Sequence, residues 1–237
     1  MFDRRLGAAV VTVLALAAGT VHARGQLQAK QTLVELAANV RAGRLVLANS
    51  GDAPLAAQIR VFAWTQDGQD DQLTPSNELS PSPVIVEIPA GGEQLVRLVR
   101  PNAVAPAREQ AFRVVVDELP GDASESPAAV AVRMRYLIPA FIRVPDAAPV
   151  ALRCRLESAS LACENTGGRA AQLGATRIVD RAGHRIEVTP GLLGYVLAGS
   201  SRRWPLDAVK LKTVGAGTKL EVRLNGEPAT IDLPRTP

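Results

Sequence analysis

The stretch VAVRMRYLIPAFIRV, residues 130–144, decides how this chain is read. Val130, Val132, Met134, Tyr136 and Ile138 occupy every second position, with Ala131, Arg133, Arg135 and Leu137 between them. Side chains alternate across a strand, so the five larger apolar groups leave from one face and the two guanidinium groups from the other. Periodicity alone favours a strand that packs its apolar face into its own core. An exposed strand with the same pattern would instead be an adhesive edge offered to another chain.

Working outward, the runs RLVLANSG, AAQIRVFAWTQDG, SPVIVEIPAGG, EQLVRLVRP and QAFRVVVDELPGD precede this stretch, separated by Gly, Pro, Asn and Asp. No long helical period interrupts them, and strands at this spacing predict an all-β, antiparallel sandwich. After AFIRVPDAAP the pattern begins again. LVLANSGDAPLAAQIRV in the first half is echoed by LACENTGGRAAQLGATRI in the second, with strand, Asn, a hydroxyl residue, Gly, turn and strand in the same order. Two related sandwiches are therefore expected, over 24–145 and 146–237, with the boundary near Asp146 to Pro149 where two prolines flank a small segment.

Of the 237 residues, 47% are hydrophobic and 21% charged, the balance of a globular protein with a real core. Residues 1–23 stand apart from it. Asp3, Arg4 and Arg5 precede the apolar run LGAAVVTVLALAAG, and Val21 and Ala23 place small or apolar residues before a cleavage point at Arg24. This is the pattern of a secretory signal peptide. Its apolar run is too short to span a bilayer comfortably, and no second stretch of about 18 or more apolar residues follows, so no membrane span is expected after cleavage. Loss of Arg4, Arg5 and Asp3 takes the net charge from +4 to +3. With scattered basic residues and only 3% aromatics, neither a phosphate-tracking stripe nor a base-stacking platform is visible, which argues against nucleic acid.

The two cysteines, Cys154 and Cys163, lie in RCRLESASLACEN. In an exported protein one disulfide is expected, and a hairpin turning at Ser158 and Ala159 sets the two residues opposite each other. Zinc wants four ligands, so two cysteines without a nearby histidine predict no metal site. The catalytic inventory is equally thin. His184, the one histidine left after cleavage, sits in the turn-like DRAGHRIEV with no nucleophile elbow near it. DGQDD, residues 67–71, lacks the length and terminal Glu of a calcium loop and is expected to be an exposed turn. VGAGTKL follows neither phosphate-loop nor dinucleotide spacing and is expected to be a hairpin. No cofactor is implied.

Several segments together resemble the periplasmic pilus-assembly chaperones of the chaperone-usher pathway, the PapD-like superfamily, and especially its branch for spore coat U type pili. They are TLVEL with LVLANSG (32–51), RVFAWTQDGQDDQLTPSNELSPSPVIVEIPAGGEQLVRL (60–98), FRVVVDELP (112–120) and VAVRMRYLIPAFIRV. The second half matches through ENTG and its general pattern. The resemblance implies two immunoglobulin-like sandwiches set at an angle and a function that is not catalytic. Such a chaperone lends a strand to a pilus or coat subunit that lacks its own last strand, then delivers it to an outer-membrane usher. Residues 128–138 would be the lent strand, with Val130, Val132 and Met134 filling the subunit groove and Tyr136 or Ile138 extending the row. Only the resemblance reverses the preference for an ordinary core strand.

Two positions depart from the family pattern. Many members hold the subunit's terminal carboxylate with an Arg in the first strand and a Lys at the base of the lending strand. Here Leu33 and Pro139 stand there, and neither binds an anion. Lys30, Arg133 or Arg135 is the expected substitute, unless strand addition alone holds the subunit. The resemblance also implies a buried interdomain ionic pair between Glu118 of DELP and Arg143 of FIRV, although the acidic partner usual in the second domain is missing near VRLNGEP. A second reading, a stand-alone β-sandwich adhesin or accessory protein that keeps its final strand in its own sheet, is separated from the first by whether usher and subunit genes lie beside this one.

Overall fold

The computed structural model describes residues 25–102, 104–121, 132–215 and 217–235, so the predicted leader 1–23 and Val130 lie outside the described residues. Ten strands build the first sandwich: β1 (Leu27–Ala29), β2 (Val34–Ala37), β3 (Ala42–Asn49), β4 (Leu55–Gln66), β5 (Asp71–Pro75), β6 (Ser80–Ser82), β7 (Ile85–Ile88), β8 (Glu93–Val99), β9 (Gln110–Glu118) and β10 (Arg135–Arg143). One sheet has the order β1-β3-β8-β6, and the other β2-β10-β9-β4-β5 with β7 also on β4. The second sandwich uses β11 (Leu152–Glu157), β12 (Ser160–Asn165), β13 (Ala171–Val179), β14 (Arg185–Val196), β15 (Ser200–Pro205), the single-turn helix α1 (Ala208–Leu211), β16 (Lys219–Leu224) and β17 (Glu227–Asp232). Its sheets run β11-β12-β15 and β14-β13-β16-β17.

Alternation explains the layers. In β4, Leu55, Ala57, Ile59 and Val61 point inward, where they meet Leu45 and Leu47 of β3, Val96 and Leu98 of β8, and Val114 and Val116 of β9. Burying each such side chain is worth about 1.5–3 kcal/mol by transfer. A separate core forms in the second sandwich around Leu161, Leu173, Ile178, Val196, Leu220 and Val222. The disulfide Cys154–Cys163 joins that core. Glu157 pairs with Ser160 across a turn of Ser158 and Ala159, which sets Cys154 directly opposite Cys163 as the spacing predicts.

The repeated Asn is the same device built twice. Asn49 Nδ2 donates to the carbonyls of Ala53, Ile88 and Pro89, while its Oδ1 accepts from the N–H groups of Gln26 and Gly51. Asn165 Nδ2 donates to Arg169, Val196 and Leu197, and its Oδ1 accepts from Ala151 and Gly167. Both are buried, and each amide saturates otherwise orphaned backbone groups where chain segments cross. The β16–β17 hairpin turns at Asn225 and Gly226, both at positive φ, as the preferred two-residue hairpin turn requires.

One local expectation fails. VGAGTKL is not a hairpin: the described part of 214–220 leads from α1 into β16, whose partners are β13 and β17. The element before these glycines is a helix capped by Asp207, which accepts from the Val209 and Lys210 N–H groups.

Candidate functional site

The row of alternating apolar residues changes character along its length. Ile142, Ala140 and Ile138 lie in the first core, Ile138 with only 4% exposure, and Tyr136 packs against them with its hydroxyl donating to Leu27 O. Met134 is 38% exposed and Val132 is 78% exposed. The expectation that Tyr136 or Ile138 extends a groove-filling row is thus corrected, because both are committed to the protein's own core. The expected strand is also shorter on this side: β10 begins at Arg135, and Met134 is tied to β9 only by its N–H donating to Glu118 Oε2 and its carbonyl accepting from Glu118 N–H.

The edge beside this row is open. β9 covers one side of β10 from Arg135 to Ile142, whereas β2 pairs in parallel only with Ala140 to Arg143. Among the described residues, no strand lies on the outer edge of 135–139, so backbone donors and acceptors there are available to another chain.

The opposite face of β10 turns toward the second sandwich. Phe141 joins Trp64 of β4 and Tyr195 of β14 in an aromatic cluster, with centroids 6.0 Å apart for Trp64–Phe141 and 5.3 Å for the edge-on Trp64–Tyr195 pair. Beside it, Pro139 stands across from Arg113 of β9, whose guanidinium carbon lies 3.5 Å from the Trp64 ring centroid and 5.4 Å from that of Tyr195. Burial pulls the Arg113 guanidinium below its ordinary value, although Asp71 opposes the shift. Asp71 lies 4.0 Å from Arg113 and also pairs with Arg202 of β15. Asp70 also lies 3.8 Å from Arg202, so two guanidinium groups and two carboxylates meet here, and Arg113 has the more distant carboxylate.

The interdomain ion pair differs from the one expected. Arg143 pairs with Glu109 and Glu35, not with Glu118. Antiparallel register gives the reason: β10 residue Ile142 faces Gln110, so Arg143 reaches the residue before it, while Glu118 lies near Met134. Nine residues of strand separate Glu109 from Glu118, roughly 30 Å. Burial lowers the tendency of Arg143 to stay charged, but its bonds to Glu35 and Glu109 outweigh this and raise it above its ordinary value. The Glu109 side chain is 1% exposed and accepts from the Ala170 N–H of the second sandwich at 2.8 Å. A backbone N–H thus stands where an acidic partner was sought.

The predicted anion-binding residues are dispersed. Lys30 is paired with Glu93 and Arg135 with Asp117, while Arg133 is exposed. The Asp117 carboxyl resists a rise from burial because Arg60 and Arg135 hold it below the usual range. Sequence reasoning missed Arg113, Asp71 and Glu109; the alternation of β9 marks Arg113 as outward-facing, but not what covers it. The DGQDD segment is an exposed turn in which Asp67 Oδ1 accepts from the Gln69 and Asp70 N–H groups. His184 lies in the loop before β14, its ring Nδ1 2.9 Å from the Asp180 carboxylate.

No curated protein matches the sequence significantly. Among solved structures, a chain of the CsuC–CsuE chaperone–tip adhesion subunit pre-assembly complex, from archaic chaperone-usher Csu pili of Acinetobacter baumannii, is 24% identical with a TM-score of 0.70, covering 90% of this chain and 100% of that one. The CupB2 chaperone of Pseudomonas aeruginosa is 19% identical with a TM-score of 0.61, covering 88% and 100%. A chain of the Salmonella enterica SafA pilin–SafB chaperone complex is 17% identical with a TM-score of 0.63, covering 87% and 94%. These likenesses establish the fold as two immunoglobulin-like β-sandwiches set at an angle. Residues 26–149, just over half of the 237, match the family "Pili and flagellar-assembly chaperone, PapD N-terminal domain", and the chain belongs to that family.

Proposed function

We propose that this chaperone is exported to the periplasm by its first 23 residues and stabilises pilus or spore coat U type subunits by lending them a strand, before handing them to an outer-membrane usher. It does so without catalysis. The observation that carries this reading is the row from Ile138 to Val132: buried where it serves the protein's own core, exposed where it leaves the sheet, with an open backbone edge alongside. Main-chain hydrogen bonds to that edge supply affinity, and alternate side chains entering pockets supply register. Val132 and Met134, with Val130 ahead of them, are the groove-filling residues, and burying each in a subunit contributes about 1.5–3 kcal/mol.

Arg113 takes the carboxylate-holding role that Leu33 and Pro139 cannot. It is a fixed guanidinium beside Pro139, stacked on Trp64 and only partly balanced by Asp71, and a guanidinium is suited to bidentate carboxylate binding. The first domain runs over 24–145 and the second over 146–237, as the separate sheets of 27–143 and 152–232 support. Co-expression of the full-length gene with small β-rich subunit genes, followed by purification of periplasmic complexes, tests the function. A one-to-one chaperone–subunit complex is expected. A chain that stays in the cytoplasm, or captures no subunit while remaining folded, contradicts the proposal.

A further inference from the structure

In the second sandwich β14 is, among the described residues, an edge strand with β13 on one side only. An edge strand offers the carbonyl of residue i and the N–H of residue i+2 in the same direction, and leaving them without partners inside an interface is costly. At Tyr195 and Leu197 these groups meet a side chain instead of a strand. Gln66, at the end of β4 in the first sandwich, donates through Nε2 to Tyr195 O at 2.8 Å and accepts at Oε1 from Leu197 N–H at 2.9 Å. A primary amide carries a donor and an acceptor side by side in one plane, as a neighbouring strand would.

The site it engages is stiff. Asn165 holds the same turn of chain from inside, through the carbonyls of Arg169, Val196 and Leu197, and Glu109 takes the neighbouring Ala170 N–H. Both Asn amides bond only within their own sandwich, and what the second corner adds is the Gln66 amide arriving from the first sandwich. In the second copy, Leu197 is held from both sides, by Asn165 at its carbonyl and by Gln66 at its N–H. Gln66 is itself oriented by Asp71, whose Oδ1 lies 2.9 Å from Nε2.

We propose that Gln66 is a positioning residue that sets the angle between the two sandwiches, by acting as a stand-in strand neighbour on the open edge of β14. Apolar contact among Trp64, Phe141 and Tyr195 is largely non-directional, and the Glu109–Ala170 N–H bond and the Asp71–Arg202 ion pair also cross between the sandwiches, but Gln66 fixes two backbone points of one strand at once and so permits one register.

Residual dipolar couplings of the full chain, without any partner, test this independently of the chaperone reading. In the unaltered protein, couplings from both sandwiches should fit one common alignment tensor. Gln66→Met fills similar space with neither hydrogen-bonding group, and Gln66→Glu keeps the acceptor for Leu197 N–H while losing the donor to Tyr195 O. In both variants each sandwich should still fit its own folded coordinates, but the two tensors should separate. A single common tensor retained in Gln66→Met overturns the proposal. So does loss of fit within either sandwich, because Gln66 would then support a fold and not an angle.

Discussion

The two ends of one row of side chains have opposite fates. From Ile142 to Tyr136 the even-numbered residues of β10 sit in or against the first core, while Met134 and Val132 continue the same alternation into solvent. A strand that only served its own sandwich would stop being apolar where the core stops. This one does not, and the excess apolar length lies beside a backbone edge that β2 leaves uncovered. The difference teaches that a periodic pattern states which face is apolar, whereas the neighbouring strands decide whose core that face belongs to.

The harshest way to break the comparison is to place the same charge at either end. Ile138→Asp buries an unpaired carboxylate in the first core and should cost more than about 4 kcal/mol, enough to unfold that sandwich in a denaturant melt. A mild effect there would mean the buried end is not a core. Next in size is Arg143→Ala at the far end of β10. It strands the Glu109 carboxylate, which is 1% exposed, and should cost about 3 kcal/mol, the lower end for a broken buried pair because Arg143 itself reaches solvent. The comparator Glu118→Ala should be much milder; an equal loss would restore Glu118 as the interdomain acid.

Changes away from the row sharpen the contrast. Reducing Cys154–Cys163 releases a short loop in the second sandwich and should lower stability by about 2–3 kcal/mol, seen as a lower thermal midpoint with subunit capture retained. Capture lost on reduction, in protein that remains folded, would place part of the binding surface in the second sandwich. Arg113→Gln removes a cation over Trp64 worth about 0.5–2 kcal/mol. Its larger effect should fall on subunit affinity, measured by titration, and an unchanged affinity would remove Arg113 from the carboxylate-holding role.

Local features were legible in the sequence because their determinants are local. The alternation of 130–144, the two-residue turn at Ser158 and Ala159 and the cysteine pairing each depend on residues close in the chain, and the Asn-hydroxyl-Gly corner shows as a repeated local motif although its amide bonds reach distant strands. What the sequence left hidden depends on register and on the meeting of two sandwiches. Choosing Glu109 over Glu118 as the partner of Arg143 needs the pairing of β9 with β10, since both acids flank the same strand. Arg113 and Gln66 read as ordinary outward residues until Tyr195 and Leu197 are placed against them. VGAGTKL misled for a related reason: its glycines do not name the elements they join.

The central claim is that Val132 and Met134 are exposed in order to be buried elsewhere. Its most direct test pairs the circular dichroism melt of Val132→Asp and Met134→Asp with co-purification of the subunit. Both variants should melt within about 0.5 kcal/mol of the unaltered protein, as exposed positions do, and both should fail to capture subunit. Normal capture by folded variants would contradict the account, and loss of folding would show that these side chains serve the protein's own core after all.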